Sequence, residues 1–145
     1  MANEAVLKLR QLDPIDFIIG NNAAIEKGTL MAFFAVSNER TVSGNEGCGG
    51  QAFAGIAARE KIAGDGRTRL AVYRTGVFDI KLATNSTCSG GDLVILSGTN
   101  TIARAKDFPD FATSYQLFLS GMIVGQALES GISAEVIEVD IGRTG

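Results

Sequence analysis

Gly121-Met-Ile-Val-Gly-Gln-Ala-Leu-Glu-Ser-Gly-Ile-Ser-Ala-Glu-Val-Ile-Glu-Val-Asp-Ile-Gly142 is the stretch on which the fold turns. Apolar and polar residues alternate on either side of a glycine-containing centre, the pattern of two half-buried β-strands around a tight turn. Related runs occur earlier, at Ala54-Gly-Ile-Ala-Ala-Arg-Glu60, Arg69-Leu-Ala-Val-Tyr73, Val77-Phe-Asp-Ile-Lys-Leu82 and Gly90-Gly-Asp-Leu-Val-Ile-Leu96. Glycines bound most of them. The chain therefore reads as all-β, mainly strands with at most one short helix, arranged as a small β-barrel or β-tulip.

Working outward, Asp16 to Gly20 and Thr29 to Val36 read as strands flanking the turn-like Asn21-Asn22 and the corner Glu26-Lys27-Gly28. Ser37 to Gln51, with Gly44, Gly47, Gly49 and Gly50, reads as an exposed loop. Ala63 to Arg67 and Arg74-Thr-Gly76 read as corners joining consecutive hairpins. The one helical signal is Asp110 to Leu119, where Phe111, Tyr115 and Phe118 recur near the helical period. No repeat of fixed period is visible, which argues against a solenoid. About ten short strands suffice for a barrel or sandwich.

Composition agrees. The 145 residues are most simply one domain, large enough to bury roughly 70 % of the unfolded surface. Eighteen glycines against two prolines supply tight turns without breaking strands, and with no Trp the eight Phe are the bulkiest core pieces. A net charge of −3 with both signs scattered leaves no basic stripe, so nucleic-acid binding is disfavoured. Met1 to Lys8 has neither a basic start nor a long apolar run, and no segment approaches the roughly eighteen apolar residues of a membrane helix. The expectation is a soluble chain made in the cytoplasm, with no membrane partner and with Cys48 and Cys88 as free thiols.

Catalytic chemistry finds little footing. Histidine is absent, so the commonest general base near neutral pH is missing. Asp13 with Asp16, and Asp107 with Asp110, are close carboxylate pairs, but solvated loops and caps explain them as well. Cys48 lacks a base and a helix start, and two distant cysteines without histidine make no zinc quartet. Gly47-Cys-Gly-Gly50 and Gly64-Asp-Gly66 lack the strand-to-helix setting and the Gly-Lys-Ser/Thr of a phosphate loop. Lys81, within Asp79-Ile-Lys-Leu82, is not at the hairpin tip that a biotin or lipoate carrier requires. The expectation is a protein that is not an enzyme, with no metal and no cofactor.

The succession Asn22-Ala-Ala-Ile-Glu-Lys-Gly-Thr-Leu30, Ala54-Gly-Ile-Ala57, Gly76-Val-Phe-Asp79, Ser89-Gly-Gly-Asp-Leu-Val94 and Gly121 to Glu129, closing on Val136 to Ile141, resembles the bacteriophage capsid decoration (cement) proteins. More narrowly, it is similar to the small β-barrel head proteins once given a recombinase-like name. The resemblance runs from about Ile15 to Gly142 and rests on order and spacing. Phe108 to Phe118 and the loop Ser37 to Gln51 depart from it. It implies one β-barrel domain over residues 15–145 on the outer capsid surface of a virion, behind residues 1–14, whose polarity reads as an N-terminal arm. It further implies that the chain bridges and stabilises major capsid protein subunits, and that it commonly forms a homotrimer.

Two sets of contact residues follow as expectations. The apolar-bearing segment Ala5 to Ile19 docks on the capsid and adds a strand to a sheet edge, with Val6, Leu7, Leu9, Leu12, Ile15 and Phe17 as anchors. The alternative is an ordinary barrel strand, whose removal would unfold the domain. Self-association uses faces near Phe33, Phe34, Phe53 or Phe78, since adjacent residues such as Phe33 and Phe34 point to opposite sides of a strand. The rival function is a head-fibre-like module that binds host cells or glycans.

Overall fold

The computed structural model describes residues 4–9, 14–33, 41–44, 52–107 and 121–142. Within them lie eleven strands: β1 (Val6–Leu9), β2 (Ile15–Ile18), β3 (Leu30–Phe33), β4 (Val42–Gly44), β5 (Phe53–Ala57), β6 (Arg69–Tyr73), β7 (Gly76–Leu82), β8 (Leu93–Leu96), β9 (Thr101–Arg104), β10 (Ile123–Ala127) and β11 (Val136–Ile141). A single 3-10 turn, Ala105–Asp107, follows β9. The all-β class expected from sequence is the class found. The aromatic segment proposed as a helix, Asp110 to Leu119, lies outside the described residues.

One sheet runs β7-β11-β10-β8-β9 and closes on itself, because β9 also pairs in parallel with the C-terminal half of β7 through Lys81–Thr101 and Leu82–Ile102. This is a five-stranded barrel. β1 pairs with the N-terminal half of the same β7 edge, Val6 opposite Asp79 and Leu7 opposite Phe78. The other sheet runs β2-β6-β5-β3-β4, and a parallel bridge from Ile18 to Thr41 brings its two ends together.

The two sheets are copies of one topology. β2 to β6 in chain order correspond to β7 to β11, strand for strand, including the parallel closure between the first and third members. The correspondence extends to single hydrogen bonds. Gly28 N donates to Ala57 O and Ala57 N to Thr29 O; in the second copy Gly91 N donates to Ala127 O and Ala127 N to Asp92 O. The reciprocal bridge Ile25–Lys61 has its counterpart in Cys88–Gly131. Each copy also carries a β-bulge, at Ala54 in β5 and at Val124 in β10, where the partner register slips by one residue. The absence of a fixed period in the sequence thus conceals a duplicated fold.

Three local expectations are corrected. Residues 42–44, read as part of an exposed loop, form β4, because Val42 is buried and pairs with Phe33. β6 and β7 are not a hairpin: the chain crosses between sheets at Arg74-Thr75. The β10–β11 connection is no tight turn but an eight-residue corner, residues 128–135, stitched to the Cys88 loop.

Packing fuses the copies. Phe17, Ile25, Met31, Val42, Ala54, Leu70 and Val72 fill the first sheet. The second interior holds Phe78, Ile80, Leu82, Val94, Ile102, Val124 and Ile137, and it continues without a break to Leu30, Ala32, Phe53 and Ile56 of the first copy. β5 is buried on both faces for this reason. The Asn100 side chain, in the β8–β9 turn, accepts a hydrogen bond from Leu30 N at 2.9 Å across the junction. Asn100 is 1 % exposed, so Asn100→Ala strands a buried N–H and is expected to cost about 1–3 kcal/mol. Chemical denaturation of the purified variant measures it.

Candidate interaction surface

Each copy presents a corner between its last two strands. In the first, Lys61 is 2 % exposed although charged. Its ammonium donates to Asn21 O at 2.8 Å, Ile62 O at 3.2 Å and Asp65 Oδ1 at 2.8 Å. All three ammonium donors are therefore used, which is the condition for burying such a group. Asp65 also accepts from Ile62 N and Arg67 N. The Lys61 hydrogen bond, followed by that from Arg67 N, holds the Asp65 carboxyl below the usual carboxylate range.

The sign of the pH effect follows. A carboxyl whose folded value lies below its unfolded one adds stability that is full above the unfolded value, about 4, and is lost as pH falls through the folded value. Asp65→Asn is expected to lose less stability than the parent on acidification from about pH 5 to pH 2. Thermal melts across that range check it; parallel curves would contradict it.

The second corner repeats the backbone and changes the side chains. Glu135 Oε2 accepts from Ile132 N as Asp65 Oδ2 accepts from Ile62 N. Where Lys61 stands, the second copy has Gly131, whose Cβ would lie 2.5 Å from Ile137 Cγ2 and 3.1 Å from Leu82 Cδ1. Neighbouring aliphatics fill the space that Lys61 fills in the first copy. At the tip of each corner an isoleucine stands in solvent, Ile62 at 63 % and Ile132 at 61 % exposed.

Beside the first corner, an open groove of about 570 Å³ runs along β2 and β6, lined by Asp16, Arg59, Glu60, Arg67 and Arg69 among others. A smaller hollow of about 290 Å³ lies at the junction of the two copies, with Phe33, Phe53, Arg74 and Gly142 in its wall. The Arg74 guanidinium sits 5.8 Å from the Phe33 ring centroid and 6.0 Å from that of Phe17, and the two rings meet edge to face. This cation–π stack covers the half-buried Phe33.

The residues singled out from sequence fall into separate places. Val6 and Ile15 are exposed, whereas Phe17 is 1 % exposed inside the first sheet. Leu7 and Leu9 are placed by their pairing opposite Phe78 and Val77 on β7. Leu12 and Phe34 lie outside the described residues. Phe53 and Phe78 are buried in the core shared by both copies, Phe78 against the Tyr73 ring. Asp107 pairs with Arg104, and Asp13 and Asp110 lie outside the described residues. Cys88 is a free, buried thiol that burial, with Asp92 nearby, pushes above its ordinary value; Cys48 lies outside the described residues. Among the described residues no group of three His, Cys, Asp or Glu is placed to hold a metal, and no helix is long and apolar enough to cross a membrane.

Sequence reasoning placed a corner at Ala63 to Arg67 but missed its twin at residues 128–135 and the buried Lys61. The available signal was Ile62 and Ile132, each followed three positions later by an acid. That pattern marks a turn whose carboxylate accepts from the backbone.

No family model matches the chain, and no curated protein does. Among solved structures it is similar to the head fiber gp8.5 N base of bacteriophage phi29, with a TM-score of 0.51 and 13 % identity, over 93 % of this chain and 97 % of that one. At that identity the likeness is one of fold, and it spans both copies of the duplicated topology rather than a single barrel.

Proposed function

We propose that this chain is a structural protein of a phage virion, mounted on the outer surface of the capsid. The observation that carries the reading is the end-to-end likeness to a phage head-fibre base, which spans the doubled arrangement and nearly all of both chains. The order of sequence motifs supports the same reading from an independent direction.

In the finer form of the proposal, the protein binds the major capsid protein and stabilises the shell. A ligand that binds only the assembled lattice stabilises it by about 2.7 kcal/mol per site at a hundredfold excess over Kd. Contacts to several subunits add avidity. β1 is a suitable docking element: among the described residues it pairs on one side, with β7, stands at the end of its sheet and carries the exposed Val6; Ile15 of β2 is exposed as well. An edge strand of this kind accepts or joins a neighbouring strand. The head-fibre likeness favours a second form, in which the chain is the base of a longer appendage and leaves shell stability unchanged.

Co-sedimentation with shells of its own phage, stripped of the protein and supplied unexpanded and expanded, tests the proposal. Saturable binding to expanded shells is expected. Binding that also raises the temperature at which shells break supports cement, binding without that rise supports the fibre base, and no binding to either shell overturns both.

A further inference from the structure

The two equivalent corners carry opposite charge. Residues 123–140, spanning β10, its corner and most of β11, contain Glu129, Glu135, Glu138 and Asp140 and no Lys or Arg. Asp140 is buried at the far end of β11, so the corner's solvent-facing acids are the exposed Glu129 and Glu135 and the half-buried Glu138. The equivalent residues 53–73 contain Arg59, Lys61, Arg67 and Arg69 against Glu60 and Asp65. Lys61 and Asp65 neutralise one another internally. What the first corner offers to solvent is therefore Arg59, Arg67 and Arg69, moderated by Glu60 and, across the groove, Asp16. All three arginines are exposed and make no ion pair among the described residues. At one pair of matching positions the sign is inverted outright: Arg59 follows β5 where Glu129 follows β10.

The apolar parts match as well. Ile62 projects from the basic corner. Around the acidic corner, Ile132 is joined by Leu128 at 49 % and Val136 at 56 % exposed. Carboxylates thus rim three exposed aliphatic side chains, and Lys81 of β7 pairs in register with Val136. In a monomer both corners leave apolar surface and exposed charge in water. Each supplies what the other lacks.

We infer that copies of this chain associate head to tail, the basic β5–β6 corner of one copy seating on the acidic β10–β11 corner of the next. The interface is heterologous, joining two different surfaces, so it closes into a ring or extends as a chain according to the angle between copies. Single exposed ion pairs contribute little. The association is therefore weak to moderate, and it depends on ionic strength because the facing charges are screened over about 8–10 Å in physiological salt. The inference concerns the chain alone and does not depend on a capsid.

Sedimentation velocity of the full chain tests it. The wild type is expected to associate at low ionic strength and to dissociate in about 0.5 M salt, where the screening length falls to a few ångströms. Arg59→Glu/Arg67→Glu/Arg69→Glu makes both corners acidic, and Glu129→Lys/Glu138→Lys, which leaves Glu135 as the second corner's one solvent-facing acid, makes both net basic. Each variant alone is expected to associate at least roughly tenfold more weakly, since like charges then face each other. Mixed in equal amounts, the two variants restore oppositely charged neighbours, and association should return. Circular dichroism and melting of each variant verify folding, and the wild-type salt series stands even if one variant misfolds. A wild type that stays monomeric at low salt overturns the inference, as do reversals that leave association unchanged or folded variants that fail to rescue one another.

Discussion

Gly55→Ala and Gly125→Ala are each expected to remove a large share of the stability of the molecule, to nearly the same extent, although the two residues sit in different sheets. Each glycine follows the bulge in the fourth strand of its copy and passes close under the last strand. A Cβ on Gly55 would lie 2.3 Å from Tyr73 O and 2.5 Å from a Val72 methyl; on Gly125 it would lie 2.2 Å from Asp140 O and 2.8 Å from Ile141 Cα. Apart from the Val72 methyl, these contacts are to backbone held in a ladder, which cannot step aside without breaking the strand pairing. Gly55 also has φ +147°, a conformation that side-chain-bearing residues rarely adopt. The expected loss is about 3 kcal/mol or more in each case, the upper end of overpacking costs. Against a total of roughly 5–15 kcal/mol, that is between about a fifth and more than half of the stability. Urea titration of the two purified variants checks it. A loss below about 1 kcal/mol at either site would mean that the strands are not this close.

The second large effect separates positions that topology makes equivalent. Gly28 and Gly91 close the same corner in the two copies, with φ +90° and +96°. Alanine at Gly91 meets nothing within 4 Å, so only the left-handed backbone opposes it, about 1–2 kcal/mol. Alanine at Gly28 places its Cβ 2.6 Å from Ala5 O and 2.8 Å from Glu4 Cβ, where the segment leading into β1 crosses the first copy. Ala5 N donates to Gly28 O at 2.7 Å at the same point. Gly28→Ala is therefore expected to cost at least about 2 kcal/mol more than Gly91→Ala, an overpacking penalty added to the strain. It should also loosen β1, seen as faster proteolytic cleavage near the N-terminus. Equal losses and equal cleavage would show that this segment does not pack there.

These glycines also mark how far the sequence could be read. Alternation in Arg69 to Tyr73, Val77 to Leu82 and Val136 to Ile141 revealed strands because each has one face in a core and one toward water. The duplication stayed hidden because corresponding positions hold different residue types: Ile25 and Cys88, Lys61 and Gly131, Tyr73 and Asp140. Their spacing also drifts, since the β5–β6 connection is longer than the β10–β11 connection. What the copies share is backbone hydrogen bonding, which many side chains satisfy. β4 was illegible for a related reason, having only three residues in a glycine-rich stretch. The burial of Phe53 could not be anticipated either, because local alternation does not show that a second sheet covers the outer face of β5.

The candidate surface was legible in part. Val6 and Ile15 are exposed, whereas Phe17 is buried. Phe53 and Phe78 find their partners within the same chain, so the head-to-tail proposal rests on charged corners instead of phenylalanine faces. Arg59 and Glu129 were unremarkable as scattered charges, and their opposition appears only once the two copies are superposed in topology.

The most direct test of the functional account is to label intact, purified virions of the phage with an antibody against this chain and view them by electron microscopy. Label over the heads, with the chain also detected by mass spectrometry of the same particles, is expected of a capsid-surface protein. Particles that lack the chain altogether would contradict the account.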